Sequence, residues 1–228
     1  MDDASAKAEM IREDEKMPEK QPNSDSTKKE EVQVEVEPKT GISFPTKLDD
    51  GKQLNAVGLR KKSLFGIGMK IYGFGIYADN EKLKDLMQPG TRKQPAPSEE
   101  MYQQVINSDV EVMVRMVISF SGLTMTMIRK NFDASLAASI KKLTGGKNKE
   151  VPKKILTEES DNIKLTTGSV MEISRLPGYI FQIKVMDEVV SKVESELICK
   201  AYIHMYLGDD PVDKEAKEKF GMSLISLL

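Results

Sequence analysis

Histidine and cysteine are almost missing from this sequence of 228 residues, which contains one of each and no tryptophan. A single cysteine, Cys199, cannot form a disulfide framework or a thiolate metal cluster, since both need several cysteines. A single histidine, His204, argues against the usual zinc site and the usual catalytic triad, because both place histidine beside other ligands or bases. We therefore expect neither a metalloenzyme nor a hydrolase, and we predict no metal and no cofactor.

Charge of one sign and long apolar runs are also missing. Lys and Arg total 34 against 36 Asp and Glu, which gives a net charge of −2 with both signs interspersed. A nucleic-acid binder or a protein of anionic membranes would present a basic field instead. No apolar run approaches the roughly 20 residues of a transmembrane helix. The sequence therefore predicts no nucleic-acid partner and no transmembrane segment.

Residues 1–31 differ in composition from the rest of the chain. About half of them are charged, two are proline, and none is aromatic. Such a segment buries too little apolar surface to offset the entropy of ordering it, so we predict that it is disordered. Its acidic start resembles neither a secretory signal nor an organelle transit peptide. The remaining residues, 32–228, are long enough for one domain with a sizeable core.

Strand patterns dominate the first third of this domain. Valines at 32–36 alternate with polar residues, as in a strand with one solvated face. Further strands are predicted at about 43–48, 54–62 and 68–78. The last two are rich in glycine, which weakens a strand interior and indicates bulges or a surface that another group approaches closely.

Helical patterns become frequent after residue 80. A short helix is predicted near 82–87, Ser98 predicts a helix cap, and Ser121 predicts the cap of a longer helix with an apolar stripe from Ile128 to Leu143. The other predicted elements are a strand at 110–120, a helix from Pro152 to about 160, and strands at 163–167, 169–175, 178–186 and 188–193. Two helices follow: the first ends at Gly208, and the second begins after Pro211. Without regular βαβ alternation, this order predicts an α+β fold, an antiparallel sheet covered on one face by helices.

Arg60 is the first candidate for a binding residue, because it follows Val57, Gly58 and Leu59 on a predicted strand. A guanidinium keeps its charge, so an inward-facing one needs an anion, and its planar fork matches a carboxylate. The alternative is an exposed arginine that leads the basic run to Lys62. If Lys61 faces solvent, strand alternation turns Arg60 and Lys62 to the other side.

Tyr72, on the next predicted strand, is the second candidate, since its hydroxyl can donate to the same carboxylate; it can equally be an ordinary sheet tyrosine. Methionines at 113, 116, 125 and 127 suit a pocket for a flexible alkyl chain, and they suit an ordinary core as well. Cys199 and His204 fall in one predicted helix and are interpreted as a packing residue and a surface residue, with no catalytic role.

The segment 56–79 resembles the two-strand signature of the chalcone isomerase family, with the sequence AVGLRKKSLFGIGMKIYGFGIYAD. The whole of 32–228 resembles the plastid fatty-acid-binding branch of that family, in motifs that include KTGISFP, FSGLT, IKKLTGG and SKVESELICKAYIHMYLGDDP. The resemblance implies a chalcone-isomerase-like open-faced β-sandwich with a cleft between the long sheet and a layer of helices.

The resemblance also implies which polar groups an isomerase would need. The family's arginine corresponds to Arg60, but its threonine position is occupied by Tyr72, and Met127 or Ile128 stands where the isomerase has a helix tyrosine. Asn131 matches the family's asparagine. Losing the oriented polar groups while keeping the arginine leaves an anion anchor in an apolar cleft.

We therefore expect a non-catalytic plant protein that binds free fatty acids through Arg60 and Tyr72. Two alternatives stay open: a working chalcone–flavanone isomerase, and a partner protein that assists other enzymes, with residues 1–31 as an interaction arm. Localisation in the chloroplast stroma is implied by the resemblance alone, and the acidic start would then mean that a transit peptide is missing from this chain. The oligomeric state is left open.

Overall fold

The computed structural model describes residues 32–64, 67–87, 95–146 and 155–228. In these ranges, eight strands and five α-helices follow one another along the chain. They are β1 (Val34–Glu37), β2 (Ile42–Pro45), β3 (Gln53–Leu64), β4 (Ile67–Ala78), α1 (Asn80–Met87), α2 (Glu99–Asn107), β5 (Val112–Ile118), α3 (Met125–Leu143), β6 (Val170–Leu176), β7 (Ile180–Val185), β8 (Glu188–Glu194), α4 (Glu196–Leu207) and α5 (Lys214–Ser226). None of the described helices is long and apolar enough to cross a membrane.

Six of the strands form one antiparallel sheet in their order along the chain, from β3 to β8, and β1 pairs with β2 in a separate hairpin. Side chains alternate between the two faces of the sheet. Phe74, Ile76 and Val114 point into the main core beneath the helices. Tyr77 and Met113 point to the opposite face and pack with the hairpin. This is the predicted α+β arrangement, an open-faced sandwich with helices on one face.

The glycines of β3 and β4 mark where other elements approach the sheet. A Cβ on Gly58 would lie 2.7 Å from the Cβ of Ala216 on α5, and one on Gly75 would lie 3.0 Å from Phe44 of the hairpin. Gly73 lies under Ile42 of the same hairpin. The close approach predicted from these glycines therefore occurs, and the approaching groups are protein.

Two predictions about the middle of the chain were wrong. The long helix is capped by Thr124, whose Oγ1 accepts from the backbone N of Met127 at 3.2 Å, whereas Ser121 lies in the preceding turn. Residues 163–167 form no strand and pair with none of the six strands of the sheet. The alternating Ile163 and Leu165 still pack on the core.

The helix predicted from Pro152 to about 160 falls partly outside the described residues. Within the described part, residues 155–157 are not helical and Glu158–Asn162 forms a short 3-10 helix. The caps of the other helices follow the sequence more closely: Ser98 caps α2, as predicted, and Gly208 ends α4, as predicted.

Candidate functional site

A cavity of about 300 Å³ lies between the sheet and helices α3 and α4. Its wall is mostly apolar: the sheet contributes side chains such as Met116, Ile118 and Met171, and α3 contributes Ile128 and Phe132. Enclosed apolar cavities with few polar groups are the usual binding sites of small molecules. The site therefore suits an apolar ligand, and its few polar groups would set the orientation of that ligand in the cavity.

Strand alternation places Arg60 in this cavity. Arg60 and Lys62 both line it, whereas Lys61 between them lies outside it, and the two lysines are both exposed. Arg60 itself is half-buried. Of the two interpretations of Arg60, the structure therefore supports the inward-facing one.

Among the residues that the structure describes, Arg60 has no carboxylate partner and makes no hydrogen bond. No aspartate or glutamate of the described residues lines the cavity. A partly desolvated guanidinium without an anion is unfavourable, since a buried cation needs a partner. The site therefore has an unmet preference for a negatively charged group.

Tyr72 lies directly opposite Arg60 in the register between β3 and β4, and it also lines the cavity. Burial raises the pKa of Tyr72, while the charge of Arg60 and a hydrogen bond with the hydroxyl of Tyr206 oppose that rise. The raised pKa keeps the phenol protonated at neutral pH, so it remains a hydrogen-bond donor. Both residues predicted from the sequence are thus together in one site.

Two more tyrosines, Tyr202 and Tyr206 of α4, line the cavity and were missed by sequence reasoning. Burial raises the pKa of each well above its ordinary value. The hydroxyl of Tyr206 interacts with those of both Tyr72 and Tyr202. Their spacing of four residues on one helix was the available signal, because it places both rings on one face.

Polar contacts between β3 and α3 lie along the exposed part of the cavity lining. Lys62 Nζ donates to Asn131 Oδ1 at 2.8 Å, and Asn131 Nδ2 donates to the carbonyl of Met127 at 2.7 Å. Asn131 therefore uses both ends of its amide within the protein. Helix α3 contains no tyrosine. Met127 and Ile128 line the cavity at the positions where the family resemblance places the tyrosine of the isomerases.

The methionines predicted as one cluster lie in different places. Met116 and Met127 line the cavity, Met125 is in the main core, and Met113 is on the opposite face of the sheet. Both alternatives, pocket and core, are thus realised. Three further methionines, on β4, β6 and α4, also line the cavity: Met69, Met171 and Met205.

A second, polar cavity of about 170 Å³ shares Arg60 with the first and reaches His204. His204 is buried, so its interpretation as a surface residue was wrong, and burial lowers its pKa. Ser139 Oγ lies 2.9 Å from His204 Nδ1, and Asp209 lies 3.6 Å from His204 Nε2. Ser139 donates its proton to the carbonyl of Ala201 at 2.7 Å, so its proton does not point at the histidine as a nucleophile's would.

Cys199 is fully buried, and burial raises the pKa of its thiol to about 12, which keeps it protonated. This fits the packing role expected for it. Within the described ranges, no group of three or more His, Cys, Asp or Glu residues is placed to hold a metal ion.

Comparisons with known proteins agree with this architecture. A sequence profile of the family described as chalcone isomerase-like matches residues 33–220. The chain is 57% identical over 198 residues to chalcone isomerase-like protein 1 of Humulus lupulus, covering 85% of this chain and 92% of that protein. It is 32% identical over 190 residues to fatty-acid-binding protein 1 of Arabidopsis thaliana, covering 81% and 68%. The crystal structure of the Arabidopsis thaliana fatty-acid binding protein AtFAP1 superposes with a TM-score of 0.78 at 31% identity, over 86% of this chain and 98% of that one.

Proposed function

The chain belongs to the chalcone isomerase-like family, and from this premise we propose that it binds free fatty acids and catalyses no reaction. One observation carries the proposal: a guanidinium without a protein carboxylate lines an apolar cavity. Relatives named as fatty-acid-binding proteins support it, at 32% identity in sequence and with a TM-score of 0.78 in structure.

In this proposal the carboxylate of the fatty acid lies between Arg60 and Tyr72. The guanidinium supplies two parallel N–H groups and the charge, and the phenol supplies a third donor from the neighbouring strand. The alkyl chain lies among side chains such as Ile118, Met171 and Phe132. Flexible methionines allow the wall to adapt to chains of different shape.

Calorimetric titration with decanoic acid tests the proposal. Charge-assisted hydrogen bonds contribute on the order of 1.5–3 kcal/mol, so Arg60→Ala is expected to weaken binding by about ten-fold or more. Lys61→Ala is the matched control, because it removes the same charge from the neighbouring position outside the cavity. Equal affinities of Arg60→Ala and the unmodified protein would refute the anchor, as would an equal loss in Lys61→Ala.

The absence of catalysis is proposed from the polar groups of the cavity. Cyclisation of a chalcone needs donors aligned on the ketone and on the attacking phenolate. Here α3 presents Met127 and Ile128 to the cavity, and the Asn131 amide is engaged by Lys62 and by the backbone. Loss of chalcone absorbance in the presence of purified protein should therefore proceed at the spontaneous rate, and a clearly faster rate would overturn this part of the proposal.

We further propose a role in fatty-acid metabolism in the chloroplast stroma. This rests on the resemblance to the plastid branch of the family. Native mass spectrometry of protein isolated from its host should find co-purified acyl chains, whereas a protein that only assists other enzymes would carry none. A fluorescent fusion of the complete transcript product should accumulate in chloroplasts, and accumulation elsewhere would contradict the localisation.

A further inference from the structure

Two cations, Arg60 and Lys62, line the apolar cavity, and no acidic residue of the described chain lines it with them. They are two residues apart on β3, so strand alternation puts both side chains on the same face of the sheet. The rise along a strand separates their Cα atoms by roughly 7 Å. Side chains as long as these can converge on one head group across that distance. The cavity therefore brings two positive charges to the end of the ligand that Arg60 binds.

The contacts of Lys62 leave its charge without an anion. Among the described residues Lys62 pairs with no carboxylate, and its Nζ donates to Asn131 Oδ1 at 2.8 Å, which is a neutral acceptor. Asn131 is fixed in turn, because its Nδ2 donates to the carbonyl of Met127 at 2.7 Å. An ammonium group has three N–H donors, so two of them remain for a ligand or for water. The ammonium is thus held where β3 meets α3, beside the cavity that Lys62 lines.

Carboxylates on the neighbouring elements are engaged by other groups. Asp210 lines the polar cavity, and its Oδ2 lies 3.8 Å from Lys142 Nζ. Asp213 lies beside β3, where its Oδ2 accepts from the backbone N of Leu59 at 2.9 Å. A fatty acid brings one negative charge, which matches only one of the two cations of the apolar cavity. A head group with two negative charges would match both.

We propose that the cavity also binds long-chain phosphate monoesters, and that Arg60 and Lys62 together hold the two negative charges of the head group. A phosphate monoester carries about −1.5 to −2 charges at neutral pH and presents three acceptor oxygens. The planar fork of an arginine and the point charge of a lysine both bind such groups. The inference rests on the proposed function, because the alkyl chain occupies the same cavity and the phosphate takes the place of the carboxylate. Lys62 then distinguishes a doubly charged head group from a singly charged one.

Titrations with decyl phosphate and decyl sulfate test the proposal, because the two esters share the alkyl chain and a tetrahedral head group. The sulfate ester keeps a single charge, whereas the phosphate ester changes from one charge to two around pH 6. An ion pair with an exposed lysine corresponds to roughly two- to five-fold in affinity. Between about pH 5 and about pH 7.5, the ratio of the two affinities should therefore rise by that factor in favour of the phosphate. The ratio removes changes that affect both esters alike, such as the titration of His204.

A pair of variants assigns this rise to one side chain. Lys62→Gln removes the charge and keeps a polar side chain, and in this variant the rise of the ratio should disappear. Lys61→Gln is the matched control, because it removes the same charge from the next residue, which lies outside the cavity. Its ratio should rise as in the unmodified protein. Both lysines are exposed, so both variants should fold.

Inorganic phosphate, titrated alone, separates a lipid site from a site for the free ion. It should bind at least about ten-fold more weakly than decyl phosphate, because it lacks the alkyl chain, and equal binding would overturn the inference. So would no binding of decyl phosphate, a ratio that does not rise, a rise that survives in Lys62→Gln, or an equal loss of the rise in Lys61→Gln. Failure of the proposed function is distinguishable, since decanoic acid would then not bind, whatever the two esters do. Binding of decanoic acid without a rise of the ratio would refute the phosphate site alone.

Discussion

Two arginines on the same sheet differ in whether the protein supplies hydrogen-bond acceptors for the guanidinium. Arg175 of β6 is 0% exposed, and it donates to the carbonyls of Val110 and Ile106 at 2.8 and 3.1 Å. Arg60 of β3 is half-buried, lines the cavity, and has no such partner among the described residues. We call these the Arg175 region, with its carbonyl partners, and the Arg60 region, with the cavity around it.

The difference teaches that burial of a cation does not by itself indicate function. In the Arg175 region the side chain satisfies carbonyls at the end of α2, and burial lowers its pKa to about 10, which still leaves it charged at neutral pH. It therefore stabilises the junction of α2 and the sheet. In the Arg60 region the same chemical group has no acceptor among the described residues, and we propose that a ligand supplies one.

The largest effect is expected from Arg175→Met. It leaves two buried carbonyls without donors, so the free energy of unfolding should fall by about 3–5 kcal/mol. Urea unfolding at neutral pH measures this. Arg115→Met is the control, because Arg115 is part-exposed and paired with Glu172, and its loss should cost less than about 1 kcal/mol. An equal fall of the free energy of unfolding in the two variants would contradict the structural role of Arg175.

Tyr72→Phe sharpens the description of the Arg60 region. The variant removes one donor from the carboxylate site and keeps the ring, so binding of decanoic acid should weaken by roughly two- to ten-fold. The effect should be smaller than that of Arg60→Ala, because no charge is lost. Titration calorimetry provides the comparison, and unchanged affinity would leave Arg60 as the sole anchor.

His204 lies in the polar cavity beside Arg60 and makes stability depend on pH. Burial lowers its pKa, while Asp209 acts in the opposite direction. The unfolded chain therefore takes up this proton at a higher pH than the folded protein, so stability is complete above about pH 6.5 and falls as the pH decreases through that value. Unfolding between about pH 7.5 and pH 5.5 should show the decline in the unmodified protein and a smaller one in His204→Gln.

Arg60→Ala should have the smallest effect on stability, in contrast to Arg175→Met. Because Arg60 has no partner among the described residues, its removal should change the free energy of unfolding by no more than about 0.5 kcal/mol. Urea unfolding without ligand tests this. A loss of several kcal/mol would mean that Arg60, like Arg175, is structural.

Strand alternation separated Lys61 from Arg60 and Lys62 but left open which side of β3 faces inward, and the resemblance to the chalcone isomerase family supplied that orientation. Arg60 and Lys62 line the cavity, and Lys61 lies outside it. The glycine content of β3 and β4 predicted bulges or a closely approached surface, and the structure contains both register shifts between the two strands and close contacts with α5 and the hairpin. The α+β class followed from the order of these patterns along the chain.

Features that depend on distant parts of the chain were not predictable in the same way. Whether Ser121 or Thr124 caps α3 depends on where the preceding turn ends, and both are good caps. The alternation at 163–167 reflects the packing of Ile163 and Leu165 on the core, without strand pairing. The spacing of Tyr202 and Tyr206 places both rings on one face of α4, but it does not say that this face meets the cavity and Phe74 of β4.

The central claim is that Arg60 binds the charged end of an apolar ligand. Titrating decanoic acid and the uncharged decanol against the unmodified protein and Arg60→Ala tests it most directly, because the alkyl chain stays the same. The account predicts that the unmodified protein prefers the acid, that Arg60→Ala reduces this preference by about ten-fold or more, and that decanol binding is unaffected. An acid-over-alcohol preference of the same size in both proteins would contradict it.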